Sequence, residues 1–165
     1  MPSARLILDE LKRQGVTHVV GLPDNGSRAL YELLRLDPAI RVVAVCREGE
    51  AHAVASGLYV GGARPCVLIQ NTGFLESGDG FRGTAHNMAV PLVSLIGYRG
   101  HASLTPGVAR VDTAASFLEP TLKAWGMPYH TLATDADLPR LSGAFREAEA
   151  GSRPVAVLIV GECTG

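Results

Sequence analysis

An acidic residue at the predicted start of a helix is the first candidate for chemistry. Glu48 lies in REGEA, between the apolar run VVAVC and the apolar segment AHAVASGLYV. A carboxyl enclosed by apolar segments loses hydration, which raises its pKa and lets it hold or share a proton near neutral pH. Glu50 should face another side of the helix and be the solvated or interface acid. The alternative stays open that both acids only complement the helix dipole.

Two further polar segments follow apolar runs. Asp24 and Asn25 lie in GLPDNGS, and Asn71, Thr72 and Gly73 lie in QNTG. Side chains at such positions can contact a small ligand, although Asp and Asn are equally typical of tight turns.

Cationic groups come next. Arg99 follows the run VPLVSLIGY and could bind an anionic substrate through a planar guanidinium, or be an ordinary surface residue. His86 and His101 flank the same region and are candidate substrate contacts. His52, on the Glu48 helix, is as compatible with burial as with function.

These residues require an alternation of short buried strands and helices to bring them together. We predict strands at His18–Gly21, Arg41–Val45, Cys66–Gln70, Pro91–Ile96, Pro128–Leu132 and Val155–Val160. Between them we predict helices near Ser3–Gln14, Ser27–Arg35, Glu48–Val60, Gly80–Met88, Ala114–Trp125 and Ala136–Ala150. This alternation is typical of an α/β fold with a central, mostly parallel six-stranded sheet, doubly wound, with helices on both faces. Ligands bind at the carboxyl ends of such strands.

Composition limits the domain count and the partners. The chain has 165 residues and 47% hydrophobic residues, which favours one domain over residues 1–165. The 15 Lys and Arg nearly balance the 16 Asp and Glu, so nucleic acid and an anionic membrane are not expected. The three cysteines lack metal-ligand spacing and are interpreted as buried thiols in a reducing, cytoplasmic compartment.

The order of these motifs resembles a known family. GLPDNGSRALYELL, REGEAHAVASGLYVGGARPCVLIQNTG and VPLVSLIGYRG are similar to the pyrimidine-binding domain of thiamine diphosphate enzymes, especially the sulfopyruvate and phosphonopyruvate decarboxylase alpha subunit. An acid followed nine residues later by glycine, here Glu48 and Gly57, is the most specific element. The resemblance implies the thiamine diphosphate-binding fold and a 2-oxo acid decarboxylase. It further implies that Glu48 activates the cofactor by sharing a proton with its pyrimidine ring.

The same resemblance assigns the other residues. Asn71, Thr72 and Gly73 would contact the cofactor with Glu48, while Asp24, Asn25 and Arg99 would contact the substrate. His86 and His101 are further candidates for substrate contact, from their position at the same edge rather than from the resemblance. Enzymes of this family hold the diphosphate and Mg²⁺ on a second domain through GDG followed by a spaced Asn. GDG occurs here at residues 78–80, but Asn87 is the only later Asn, so we interpret GDG as a loop coincidence and expect no metal site.

A partner chain is therefore expected. A diphosphate-binding beta subunit would share the thiamine diphosphate and hold the Mg²⁺, in a hetero-oligomer with at least two copies of each chain. Two alternatives remain: a split carboligase or decarboxylase for another 2-oxo acid, and a non-catalytic scaffold partner.

Overall fold

A computed structural model describes residues 1–165. Six strands form one sheet in the order β2-β1-β3-β4-β6-β5, and every neighbouring pair is parallel. Their bounds are β1 His18–Gly21, β2 Arg41–Ala44, β3 Pro65–Gln70, β4 Val93–Tyr98, β5 Tyr129–Leu132 and β6 Val155–Val160. The predicted α/β class with a six-stranded, mostly parallel sheet is confirmed, and the sheet is parallel throughout.

Helices cover both faces of the sheet. They are α1 Ala4–Arg13, α2 Arg28–Leu36, α3 Glu48–Val60, α4 Asn71–Glu76, α5 Gly78–Gly80, a π-helix Phe81–His86, α6 Thr113–Ala124 and α7 Leu138–Gly151, with 3₁₀ turns at His101–Leu104 and Asp135–Asp137. One apolar core contains buried residues of α1, α2 and α7, and the other contains those of α3, α4, the π-helix and α6. Strands β3, β4 and β6 are buried on both faces because they lie between these two layers.

Three local predictions needed correction. Strand β4 spans Val93–Tyr98 rather than Pro91–Ile96. The helix predicted near Gly80–Met88 is preceded by a helical segment that was not predicted, because β3 passes directly into α4 at Asn71. Cys46 is exposed, since it follows the edge strand β2, while Cys66 and Cys163 are buried as expected.

The strand order determines where a ligand site can form. β2 and β3 lie on opposite sides of β1. The strand order therefore reverses at β1, which makes this position a topological switch point. Crevices at such switch points, at the carboxyl ends of the strands, are the usual ligand sites of parallel α/β sheets. The segments that begin at Asp24, Glu48, Asn71 and Arg99 all leave from this edge. None of the helices is both long and apolar enough to cross a membrane.

Candidate functional site

Glu48 is the first residue of α3 and lies against Gly73 of α4. Gly73 is buried, and a methyl group added to it would overlap the Cγ, Cδ and Oε1 atoms of Glu48. The Glu48 carboxyl makes no hydrogen bond or ion pair within the chain, and the residue is half-buried. The sequence led us to expect a carboxyl removed from water. It is only half-buried because α3 begins at the edge of the sheet, where no other segment of the chain covers it.

A close approach between two glycines fixes the start of α3. A Cβ atom on Gly80 would lie 2.5 Å from the carbonyl oxygen of Gly49. Glu76 forms an ion pair with Arg47 and accepts a hydrogen bond from the Gly49 N–H at 3.2 Å. These contacts hold α4 and α5 against the first turn of α3, and so they position the backbone that carries Glu48.

GDG at residues 78–80 is a helical turn, not the loop that we expected. Asp79 is highly exposed and pairs only with Arg82, at 2.6 Å. Gly80 is required for the contact with α3, which gives this segment a packing role.

Glu50 differs from Glu48 although it is only two residues away. Glu50 is exposed, and its carboxylate accepts a hydrogen bond from the Cys46 N–H at 3.0 Å. Its role is to satisfy a backbone donor before the helix. Glu50 is therefore a natural control for substitutions of Glu48.

Asn71 and Thr72 bond within the chain. Asn71 is buried, its side-chain amide donates to the Arg99 carbonyl at 2.9 Å, and its Oδ1 accepts from the Thr72 N–H at 3.0 Å. The Thr72 hydroxyl donates to Oε1 of Gln70 at 2.9 Å. Asn71 therefore ties the end of β3 to the end of β4.

Four predicted substrate residues line one cavity. Asp24, Asn25, Arg99 and His101 surround a space of about 720 Å³ at the carboxyl ends of the strands, which we call the substrate cavity after the role predicted for these residues. Gln70, Tyr98 and Glu162 also line it and were not predicted. Gln70 and Tyr98 directly precede Asn71 and Arg99, so their places at strand ends could have identified them. Glu162 follows β6, and only the strand order brings it here.

The acid in the first loop is fully engaged. Asp24 accepts hydrogen bonds from the Gly26 N–H at 2.7 Å, the Ser27 N–H at 3.1 Å and the Ser27 hydroxyl at 2.5 Å. Asn25 is exposed, and its side chain makes no hydrogen bond in the chain. Asp24 therefore shapes the loop, and Asn25 is the side chain free to contact a ligand.

The cationic wall of the substrate cavity is partly neutralised. Arg99 is largely exposed, and its Nη2 lies 3.4 Å from Oδ2 of Asp112. His101 packs edge-on against the Tyr98 ring at 4.8 Å between centroids, and the Tyr98 hydroxyl donates to Glu119 at 3.1 Å. This chain of contacts orients the His101 ring from α6.

His86 does not reach the substrate cavity. It lies in the π-helix beside a separate cavity of about 460 Å³ that Phe81 and Trp125 also line. The π-helix leads the chain away from the carboxyl edge, and the structure therefore does not bring His86 together with Arg99 and His101.

Tyr31 lies beneath the acidic part of the edge. Its hydroxyl donates to the Leu68 carbonyl at 2.7 Å, and burial, helped by the Asp24 and Glu48 carboxylates, raises its pKa far above the ordinary value. Tyr31 therefore remains a neutral hydrogen-bond donor, and it links α2 to β3.

His52 is a buried base one turn after Glu48. It packs edge-on against Phe74 and Phe81, its Nε2 lies 3.2 Å from the Ser94 hydroxyl, and its Nδ1 has no partner. Burial lowers the pKa of His52 to about 4. The ring is neutral in the folded protein at neutral pH.

This burial predicts a pH dependence of stability. Between about pH 6.5, the pKa of an unfolded His, and about pH 4, only the unfolded state takes up a proton at His52, so the free energy of unfolding should fall as pH falls. The expected loss is up to about 3 kcal/mol. Urea unfolding at several pH values would measure it, comparing wild type with His52→Gln and, as a control, His130→Gln. An equal pH dependence in wild type and His52→Gln would contradict this account.

The Gly73 contact gives a second prediction. In Gly73→Ala, the added methyl group should displace the Glu48 side chain. If Glu48 has the cofactor-activating role that the resemblance implies, the turnover of the enzyme assembled with its partner should fall at least about tenfold, since small misplacements of catalytic groups are costly. Gly83→Ala is the matched control, because a Cβ at Gly83 meets no atom within 4 Å. Steady-state kinetics and the crystal structure of each variant would test this. An unmoved Glu48 with normal turnover in Gly73→Ala would refute it.

Fold and site together define a parallel α/β ligand-binding domain with an unpaired acid at its carboxyl edge. Residues 1–116 match the family model described as thiamine pyrophosphate enzyme, N-terminal TPP binding domain. The chain belongs to this family.

Individual relatives support the same placement. The chain is 36% identical over 86 residues to a phosphonopyruvate decarboxylase of Streptomyces viridochromogenes, a match that covers 52% of this chain and 22% of the enzyme. It is 23% identical over 160 residues to the sulfopyruvate decarboxylase subunit alpha of Methanococcus maripaludis, covering 96% and 95%. It is 32% identical over 151 residues to a catabolic acetolactate synthase of Raoultella terrigena, covering 90% and 26%. The chain thus spans only part of several relatives, but nearly all of one alpha subunit.

Proposed function

We propose that this chain is the alpha, pyrimidine-binding subunit of a two-chain thiamine diphosphate-dependent 2-oxo acid decarboxylase of the sulfopyruvate or phosphonopyruvate type. The observation that carries the proposal is the unpaired Glu48 carboxyl, packed on Gly73 at the switch-point edge. The family match and the names of the relatives support the cofactor and the reaction class.

The residues present suit the pyrimidine half of the cofactor. Glu48 is free to share a proton with a ring nitrogen, and Thr72 and Gly73 lie beside it on α4. Asn71 would contribute to the cofactor site by holding the ends of β3 and β4 together through its side-chain amide. When bound, thiamine diphosphate supplies a nucleophilic carbanion at its thiazolium ring.

We propose roles for the protein groups that accord with their positions. Glu48 holds a proton at the pyrimidine nitrogen and so favours the tautomer that acts as base. Arg99 binds the second anionic group of the substrate, and Asn25 and His101 orient the substrate within the cavity. A partner chain that covers this edge of the sheet would exclude water and complete the desolvation of Glu48.

The partner is proposed to be a diphosphate-binding beta subunit that holds Mg²⁺. This chain has no group of three or more His, Cys, Asp or Glu side chains suited to a metal ion. The outward face of α3 exposes Ala53, Gly57 and Val60, small or apolar residues that another protein surface could cover. We propose at least two copies of each chain, with one domain over residues 1–165. A cytoplasmic location accords with three free cysteines.

A carboligase is the second candidate, favoured by the long match to an acetolactate synthase. The two reactions differ in product: a decarboxylase releases an aldehyde, whereas a carboligase joins two substrate molecules after loss of carbon dioxide.

The test is reconstitution. The chain is combined with a diphosphate-binding chain of similar size that carries GDG and a spaced Asn, and supplied with thiamine diphosphate and Mg²⁺. We expect carbon dioxide and an aldehyde from 3-sulfopyruvate or 3-phosphonopyruvate, and no turnover when either chain is omitted. Ligation products would favour the carboligase, and turnover by this chain alone would refute the two-chain arrangement.

A further inference from the structure

A second cavity adjoins the substrate cavity on the other side of Arg99. It measures about 550 Å³, and Arg99, Gly100, Ser103, Arg110 and Asp112 are among the residues that line it. Arg99 and Gly100 line both cavities. The two spaces therefore share Arg99 and Gly100 in their walls.

The charges around the second cavity do not cancel. Arg99 is paired with Asp112, which is the one acidic residue that lines the second cavity. Arg110 is exposed and makes no ion pair with any acidic residue of the chain. Two guanidinium groups and one carboxylate leave an excess of one positive charge, which is suited to an anion.

Several contacts hold Asp112 in place. Its Oδ1 caps α6 by accepting from the Ala114 N–H at 2.9 Å, and its own N–H donates to the Ser103 hydroxyl at 2.8 Å. Gly100 has φ +78°, and a Cβ atom there would lie 2.6 Å from the Cβ of Asp112. Asp112, which forms the ion pair with Arg99, is thus held in place. The same contacts anchor the C-terminal end of the segment that carries Arg110.

We infer that Arg110 is a specificity-determining residue that, together with Arg99, binds the second anionic group of the substrate, a sulfonate or phosphonate. The inference rests on the proposed function. Two guanidinium groups can make several charge-assisted hydrogen bonds to one tetrahedral anion. Pyruvate has no second anionic group, so it would leave these hydrogen bonds unmade. Arg110 would then contribute to the choice of substrate and not to the chemical step.

The anion site can be tested without the partner, because both arginines belong to this chain. Sulfoacetate and acetate are titrated into the purified chain and followed by NMR. Wild type should bind sulfoacetate saturably and more tightly than acetate, and Arg110→Met should weaken sulfoacetate binding about tenfold to a hundredfold. Arg146→Met, which removes an exposed charge on α7, should change it little. Unchanged affinity in Arg110→Met, or no saturable binding by wild type, would overturn the inference.

Kinetics separate this inference from the proposed function. In the assembled enzyme, Arg110→Met should raise KM for 3-sulfopyruvate about tenfold or more, change kcat little and leave pyruvate nearly unaffected. Equal effects on both substrates would reject the role of Arg110 while leaving the decarboxylase intact. Absence of decarboxylation by wild type would reject the proposed function, and the sulfoacetate titration would still decide whether Arg110 binds the anion.

Discussion

Glu48→Gln is expected to leave the fold intact and to lower the turnover of the assembled enzyme at least about a hundredfold, the usual scale for loss of acid–base assistance. The amide keeps the size of the side chain that lies on Gly73, but it cannot share a proton with a pyrimidine nitrogen. Steady-state kinetics with partner and cofactor at saturation would measure the loss, and urea unfolding would verify the fold.

Glu50→Gln is the matched control. It makes the same chemical change two residues away, at an exposed carboxylate whose one hydrogen bond is to the Cys46 N–H. We expect near-normal turnover. If the two variants lose activity equally, the loss is caused by removing a negative charge from the start of α3 and not by the loss of a proton held by Glu48.

Arg99→Met should lower kcat/KM for 3-sulfopyruvate about tenfold to a hundredfold, the scale of a lost charged hydrogen bond. Pyruvate lacks the second anion and should lose much less. Stability should change little, because the Arg99 guanidinium is largely exposed and ion pairs at the protein surface contribute little. The comparison is made within one variant: equal losses for both substrates would mean that Arg99 serves only the structure.

Asp112→Asn tests the same pair from the other side. It removes the charge that competes for Arg99 while an amide can still accept from the Ala114 N–H. Unaltered stability with tighter sulfoacetate binding would show that the guanidinium is available to the substrate.

Much of the fold follows from local sequence patterns. Strands such as VAVLIV and PCVLIQ are continuous apolar runs because both faces of the sheet are covered, and they were located from that property alone. The segment from Asn71 to His86 was predicted to be helical only from Gly80 onward, because its four glycines argue against a helix. It is helical because Gly73 and Gly80 allow close contacts with Glu48 and Gly49, which no local pattern reveals.

The grouping of residues around the cavity was predictable where those residues follow strands directly. Asp24, Asn25 and Arg99 reach one cavity because parallel strands end at the same edge. The positions of His86 and Arg110 depend on the path of the chain between elements, and that path is set by long-range contacts such as Gly100 against Asp112. The sequence therefore led us to expect His86 at the same edge as Arg99, where the structure does not place it, and it did not indicate Arg110.

The central claim is that this chain supplies the carboxyl that activates thiamine diphosphate, and it can be tested without knowing the substrate. Exchange of the thiazolium C2 proton for deuterium is measured by rapid quench and NMR in the assembled enzyme, comparing wild type, Glu48→Gln and Glu50→Gln. We expect fast exchange in wild type and Glu50→Gln, and exchange slowed at least about a hundredfold in Glu48→Gln. Equal exchange rates in all three proteins would contradict the account.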